Sequence, residues 1–244
     1  MKTIIGINNL TAVNQLAYSN HMQFFYRLGR NTKDTFILFN PARMSIDNMR
    51  NTCAKLAMEY ECDYLMFIDD DVLVPLDNKI TVYEKLIAHN KEVIAGVTLV
   101  RSYPFRPMIF DWESKDSRFH FMDYEEHIND EGLVECDAVG FSCVLIKVSL
   151  LKKLNPPFFI TGPNHTEDIY FCHKVRRKYP DFKFYVDPTI RTSHILGADI
   201  ISPNNLEARL EYEEKLNSDL KRIEDKYSDR GKEYAELCEK MMKK

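Results

Sequence analysis

The sequence predicts an α/β protein with a mostly parallel central sheet flanked by helices and a charged helical extension at the C-terminal end. Three observations carry this. Short apolar runs alternate with helix-periodic stretches over residues 1–200, which argues for βαβ units. Tyr64 to Ile68 is almost continuously apolar, as a strand covered on both faces of a parallel sheet must be. From about Asn204 charged residues dominate and strand-like runs cease.

Taken in order, Lys2 to Asn8 is an Ile-rich strand, and about Asn14 to Leu28 is helical. Asp34 to Asn40 is a second strand, stopped by Pro41. Ser45 is the N-cap of the next helix, with Asp47 in the first turn where the helix dipole favours a negative charge. Met49, Cys53, Leu56, Ala57 and Tyr60 recur at helical spacing and form its apolar face. Asp63 to Ile68 is a strand that ends in Asp69-Asp70-Asp71. A helix from about Asn78 to Asn90 leads to a buried strand, Glu92 to Thr98. Arg101 to Asp130 reads as irregular and aromatic, with the sole tryptophan, Trp112, in a loop-like Phe110-Asp111-Trp112. Leu133 to Ile146 is strand, a break at Gly140, then strand; Thr166 to Tyr179 is a helix; Lys183 to His194 is a strand interrupted by Pro188. In the tail, Leu206, Leu216, Leu220, Ile223, Tyr227, Tyr234, Leu237 and Met241 fall on a heptad seam broken by Arg209, Glu213 and Arg230. That pattern suits helices lying on a catalytic domain, or a homo-oligomer assembled through the tail.

The 244 residues suit one catalytic domain over 1–200 with an extension over 201–244. At 45% hydrophobic and 29% charged, the chain can bury an enzyme-sized sheet. The net charge of −4 supplies no global positive field to draw nucleic acid or an anionic membrane. Cys53, Cys62, Cys136, Cys143, Cys172 and Cys238 form no C-x-x-C pair and read as reduced, buried thiols of a cytoplasmic protein. The N-terminal stretch turns polar too soon for a signal segment, and no run reaches the roughly 20 apolar residues of a membrane helix. The expectation is a soluble, cytoplasmic enzyme with no membrane partner.

The chemistry concentrates at the acidic strand end. In open α/β sheets, ligands bind beyond the carboxyl ends of the strands. Three adjacent carboxylates repel one another unless a cation or solvent relieves them, and their hard oxygens suit Mg2+ or Mn2+ completed by substrate phosphates. The plainer alternative is a solvated acidic loop capping the next helix.

The segment Tyr64-Leu65-Met66-Phe67-Ile68-Asp69-Asp70-Asp71 resembles the D-x-D strand of GT-A (Rossmann-like) glycosyltransferases, the family-2-like nucleotide-diphospho-sugar enzymes. The resemblance implies Asp71 as the direct metal ligand, and Asp69 as a contact to the donor ribose or to the metal through water. Asp70, at the variable position, is counted with the donor-binding residues. Arg50-Asn51, followed by Ala54 and Ala57, looks like a nucleotide-side motif of the same superfamily. It implies Arg50 and Asp47 near the donor, although Arg50 equally suits a surface salt bridge. The opening strand is expected to border the base site, which makes Asn8 and Asn9 candidates there.

Gly162 to Cys172 contains Glu167-Asp168 at a helix start and is similar to the family's acidic helix. There the pair serves the acceptor hydroxyl: Asp168 would be the general base and Glu167 an orienting group. Acids in a first helical turn also stabilise a helix without any chemistry. The order D-x-D, Glu-Asp, then His implies His194 as a third metal ligand, against the commoner structural role of a lone histidine. Gly140, in Asp137 to Cys143, resembles the glycine strand that borders the donor sugar, though a β-bulge fits as well. Trp112 could stack on a sugar or base, or anchor the core.

The chain is further similar to glycosyltransferases encoded by tailed bacteriophages, some of which act on hydroxymethylated pyrimidines in DNA. The implied activity is Mn2+- or Mg2+-dependent transfer of a sugar from a nucleotide-diphosphate sugar, UDP-linked by expectation. The acceptor is left open among a DNA base, a glycan and a protein, and the setting would be the host cytoplasm for a phage enzyme. Lys174, Arg176, Arg177 and Lys178 are a candidate basic patch for DNA, or a solvated helix face. Two rival readings stand beside this one. A nucleotidyltransferase would show a Gly-rich basic loop after the first strand, which Gly6-Ile7-Asn8-Asn9-Leu10 does not supply. A non-catalytic scaffold with a degenerate site is the other.

Overall fold

The computed structural model describes residues 1–8, 14–41, 44–76, 79–113, 118–197, 199–218 and 221. The chain divides into two compact units, Met1–Asn204 and Asn205–Lys244. In the second unit residues 206–218 are helical, and Arg209 pairs with Glu213 one turn on at 2.8 Å. The seam positions Leu220, Ile223, Tyr227, Tyr234, Leu237 and Met241, and Cys238, lie outside the described residues, and with them the expected oligomer contact.

In the first unit the elements run β1 (Lys2–Asn8), α1 (Gln15–Asn31), β2 (Thr35–Phe39), α2 (Ile46–Glu59), β3 (Tyr64–Asp69), β4 (Val72–Leu73), α3 (Val82–Ala88) and β5 (Val93–Val97). There follow β6 (Ile109–Glu113), β7 (Arg118–Phe121), β8 (Val134–Cys136), β9 (Ala138–Val139), β10 (Cys143–Lys147) and α4 (Val148–Leu151). The unit closes with α5 (Glu167–Lys178), β11 (Phe184–Arg191), β12 (Ser193–Leu196) and β13 (Asp199–Ile201). A seven-stranded sheet has the order β2-β1-β3-β10-β5-β11-β8. β2, β1, β3, β5 and β11 run one way, and β10 and β8 run against them. Two three-stranded sheets, β13-β12-β4 and β7-β6-β9, flank it.

Period-two alternation builds the core on both sheet faces. Ile4, Leu65, Phe67, Ala95, Val144 and Ile146 point to one face and meet α2, α4 and α5 through Met49, Ala57, Leu151, Phe171 and Val175. The intervening Ile5, Met66, Ile68, Ile94 and Leu145 point to the other and meet α1 and α3 through Phe24, Leu28, Val82 and Leu86. β3 is buried from Tyr64 to Ile68, as its unbroken apolar run requires. Five of the cysteines are buried and free, and burial pushes the Cys53 and Cys143 thiols up to about 12.

Several sequence expectations are corrected. The stretch containing Trp112 is not a loop: β6 pairs with β7 as an antiparallel hairpin, with Trp112 opposite Phe119. Aromatic residues alternating on a pleated ribbon form that hairpin, and they mask its strand signal in a search for buried aliphatic runs. Helix α3 begins at Val82, because Thr81 and Glu84 form a reciprocal capping box; the expected start at Asn78 lies outside the described residues. The run from Lys183 to His194 splits. Its register shifts between Asp187 and Arg191, and the chain leaves the main sheet to form β12. The run from Leu133 to Ile146 divides among β8 and β10 of the main sheet and β9 of the hairpin sheet. Tyr60 is 48% exposed and leaves the apolar face of α2, whose buried face instead includes Arg50.

Two anchors position the acidic strand end. A Cβ at Gly6 would meet the Cys53 sulfur at 2.6 Å, so the missing side chain lets α2 lie close against β1. On the other face α1 grips the segment after the aspartates. Asn20 donates to the Val74 carbonyl and accepts from its N–H, both at 2.9 Å, and His21 Nε2 donates to the Val72 carbonyl at 2.8 Å.

His21 yields a pH prediction. Burial lowers its pKa below 6.5 and outweighs the Val72 hydrogen bond and the Asp69 charge. The folded chain therefore binds this proton less readily than the unfolded chain. The His21 contribution is fully present above pH 6.5 and is lost as pH falls from there toward the depressed folded value. In urea titrations the loss of stability between pH 7.5 and 5.5 should be smaller in His21→Gln than in the parent chain.

Candidate functional site

The parallel pair β1 and β3 ends with Asn8 opposite Asp69, at the carboxyl edge where the topology places ligands. The Asn8 side-chain oxygen is buried there without a hydrogen-bond partner among the described residues. An orphaned buried acceptor costs on the order of 1–3 kcal/mol. Asn9 lies outside the described residues.

Arg50 is 1% exposed and links two of the expected site segments. Its Nη2 donates to Asp69 Oδ1 at 2.9 Å, and its Nη1 lies 2.7 Å from Glu167 Oε1. The guanidinium packs against the rings of Phe67 and Phe141 at 5.2 and 5.6 Å. Nε and Nη1 find no acceptor of hydrogen-bonding geometry among the described residues. Burial opposes the Arg50 charge, yet Asp69, Glu167 and Asp168 raise its pKa, so it stays a cation. The same burial raises the Glu167 pKa; Arg50 counters it and Asp168 adds to it. Arg50 is thus a buried ion-pair centre, not the surface salt bridge that a helix pattern also allowed.

Asn51, which sequence reasoning left without a role, fixes the approach to this centre. Its side-chain oxygen accepts from the Phe158 and Phe159 N–H groups at 2.8 and 3.1 Å, and its nitrogen donates to the Phe159 carbonyl at 2.6 Å. An asparagine inside a helical stretch, where its side chain competes with the backbone for hydrogen bonds, is the signal that could have found it.

Helices α2 and α5 begin alike. Ser45 Oγ donates to Asp47 Oδ1 at 2.6 Å, and Thr166 Oγ1 donates to Asp168 Oδ1. Neither hydroxyl caps a backbone N–H. The Ser45 hydrogen bond, reinforced by backbone N–H groups of Asn48 and Thr161, lowers the Asp47 pKa. Asp168 Oδ1 also accepts from the Ile169 N–H at 2.8 Å, so the hydroxyl and the N–H converge on one oxygen.

The acidic turn meets β12 through β4, with His194 opposite Val72 and the Ile195 N–H donating to the Asp71 carbonyl at 2.9 Å. This pairing places His194 Nε2 3.3 Å from Asp71 Oδ1. His194 Nδ1 donates to the Leu99 carbonyl at 2.8 Å, which fixes the ring and turns Nε2 toward Asp71. Asp71 Oδ2 accepts from Arg101 at 2.8 Å, a contact the sequence did not announce. Burial would lower the His194 pKa, but the Asp71 and Leu99 hydrogen bonds raise it overall. Burial would raise that of Asp71, but His194 and Arg101 lower it overall. At Asp70 burial and the charges of Asp71 and Asp69 outweigh a backbone hydrogen bond and the Arg101 charge and push it up to about 6.

The structure thus joins Asp71 to His194, while Asp69 is engaged by Arg50. Among the described residues no three His, Cys, Asp or Glu side chains are grouped to hold a metal ion. Gly140 serves packing: a Cβ there would meet Met108 at 2.7 Å. Trp112 packs against Phe119 and His173, with Arg176 over its ring at 5.9 Å, which makes it an anchor between β6 and α5. Of the basic patch, Arg176 pairs with Asp137, Lys174 donates to the Pro157 carbonyl and Lys178 to that of Lys153.

No family model and no curated protein matches the chain. Among solved structures it is similar to A197 from STIV, with a TM-score of 0.56 and 18% identity over 84% of this chain and 91% of that one. It is also similar to a glycosyltransferase involved in the glycosylation of the major capsid of PBCV-1, with a TM-score of 0.39 and 10% identity over 77% of this chain and 81% of that one. The first likeness shows the fold, a mixed α/β, GT-A-like sheet flanked by helices. The second is too weak a superposition to bear on activity. In the described residues no helix is long and apolar enough to cross a membrane.

Removing one member of a buried ion-pair network strands the others, at a cost of about 3 kcal/mol. Arg50→Met should lower unfolding free energy by about that amount in chemical denaturation. Adding Glu167→Gln to it should restore part of the loss, because one stranded carboxylate is then neutral.

Proposed function

We propose that this protein is a GT-A-type glycosyltransferase that moves a sugar from a nucleotide-diphosphate sugar, UDP-linked, to an acceptor hydroxyl with the help of Mn2+ or Mg2+. The observation that carries the reading is the meeting of Asp71 and His194 at 3.3 Å, at the same sheet edge as the Arg50-linked carboxylates Asp69 and Glu167.

These side chains fit a hard divalent cation. Asp71 offers oxygen, His194 offers an Nε2 already oriented from behind by Leu99, and Asp70 is a carboxylate in want of positive charge. Two protein ligands suffice where substrate phosphates complete the shell. When bound, the cation would neutralise the diphosphate as it leaves.

The chain's own residues supply the remaining work. Asn8 accepts a hydrogen bond from the base of the donor. Asp69, held by Arg50, faces the donor ribose, and Asp47, in the first turn of α2, serves the donor with it. Asp168 takes the proton of the acceptor hydroxyl while that oxygen bonds to the anomeric carbon, and the departing diphosphate keeps the electron pair of the broken bond. Asp168 suits this role because Thr166 and the Ile169 N–H pin one oxygen and leave the other for the acceptor. Glu167, fixed by Arg50, orients the acceptor. A hydroxymethylated pyrimidine in DNA, a glycan or a protein hydroxyl each offers the chemistry Asp168 needs.

The test is saturable binding and hydrolysis of a panel of nucleotide sugars with Mn2+. Asp71→Asn should abolish metal-dependent donor binding. Asp168→Asn should retain binding and lose turnover by about 100-fold or more in single-turnover assays. Absence of binding to every donor, or pyrophosphate release from a nucleoside triphosphate instead, would overturn the reading.

A further inference from the structure

Each carboxylate oxygen of Asp71 already meets a positive partner, Oδ1 His194 and Oδ2 Arg101. A cation that takes Asp71 competes with these two groups for the carboxylate and is repelled by their charge. His194 is buried and locked to the Leu99 carbonyl, so it can only share the cation. Arg101 is different. Its side chain is 60% exposed, and an exposed ion pair contributes at most about 1 kcal/mol.

The backbone around Arg101 is nevertheless well held. The Val100 N–H donates to the Arg106 carbonyl at 2.9 Å, and the Phe105 N–H donates to the Ser102 carbonyl at 2.8 Å. Phe105 is buried. The loop base is sealed to the strand leading into β12 by Thr98 and Thr192, whose hydroxyls lie 2.6 Å apart. The guanidinium can therefore leave Asp71 by side-chain rotation alone, and it stays beside the acidic turn.

We propose that Arg101 is a counter-charge latch and a positioning residue. It holds Asp71 Oδ2 while the site lacks a cation, and it passes to the phosphate oxygens of the donor once a cation takes Asp71. The inference rests on the glycosyl-transfer reading above. A guanidinium matches phosphate oxygens with paired donors, as a lone ammonium does not. The latch also makes cation and donor binding interdependent: the cation releases the arginine, and the phosphates give the released arginine a partner.

Calorimetric titration of the full chain with Mn2+ alone, and with UDP in saturating Mn2+, tests this. Asp71→Asn defines the background. Arg101→Gln should bind Mn2+ alone roughly two- to five-fold more tightly than the parent chain. With Mn2+ present it should bind UDP about ten-fold more weakly. Arg106→Gln removes the same charge from the same loop, where the guanidinium lies over Phe121 instead of on Asp71. It should change each affinity by less than about two-fold. Equal or weaker Mn2+ binding by Arg101→Gln overturns the latch, as does an equal effect from Arg106→Gln. If the parent chain shows Asp71-dependent Mn2+ binding in those cases, the transferase reading survives the loss. If neither protein binds Mn2+ through Asp71, the latch and the metal-dependent transferase fail together.

Discussion

The buried guanidinium of Arg50 is the contact on which the rest of the site depends. A charge taken out of water is costly unless it is paired at close range. Arg50 meets that demand with Asp69 from the end of β3 and Glu167 from the start of α5, between the rings of Phe67 and Phe141. The contacts are demanding because they come from separate elements. If α2 rose from the sheet, or α5 shifted along its axis, one carboxylate would lose its partner in a dry environment. The fold therefore cannot relax at this edge without a large electrostatic penalty. That constraint is what a site needing fixed carboxylates requires.

Short-range devices bring the guanidinium there. Gly6 lets α2 approach β1 closely enough for Cys53 to fill the space of a Cβ, and Asn51 holds the backbone of Phe158 and Phe159. From the opposite face, Asn20 and His21 grip Val74 and Val72 just past the aspartates. The acidic turn is thus clamped from both sides of the sheet.

The βαβ core and the acidic strand end were legible in the sequence because both depend on local patterns. Tyr64 to Ile68 had to be buried whatever surrounded it, and Asp69 to Asp71 had to emerge at its end. Less legible was everything set by pairing between distant segments. The sequence order placed His194 after the Glu-Asp helix, but its position on Asp71 follows from β4 pairing with β12, a strand that leaves the main sheet after a register shift. Arg101 carried no motif, since an exposed arginine in an aromatic loop looks like any other. The role of Arg50 was ambiguous for a related reason. Helical periodicity reports which face a residue occupies, and only the partner carboxylates, brought from elsewhere in the chain, make a charged residue on a buried face tolerable. Gly140 and Trp112 show the reverse case: residue types that suit ligand contact were used by the fold, against Met108 and α5.

In the proposed glycosyl-transfer reading, the cation would answer the balance of charge at this edge. Asp69, Asp70, Asp71, Glu167 and Asp168 are carboxylates of the same region, opposed by Arg50, Arg101 and His194. Asp69 and Glu167 share one arginine, Asp71 is held from two sides, and at Asp70 burial and two like charges outweigh a backbone hydrogen bond and the charge of Arg101. Burial first, and the like charges of Asp71 and Asp69 next, raise its pKa. A stable fold gains nothing from crowding like charges, since replacing one of these aspartates by asparagine would relieve it. In that reading the cation would answer the carboxylates beside a histidine already oriented by Leu99, and Arg101 would answer the phosphates.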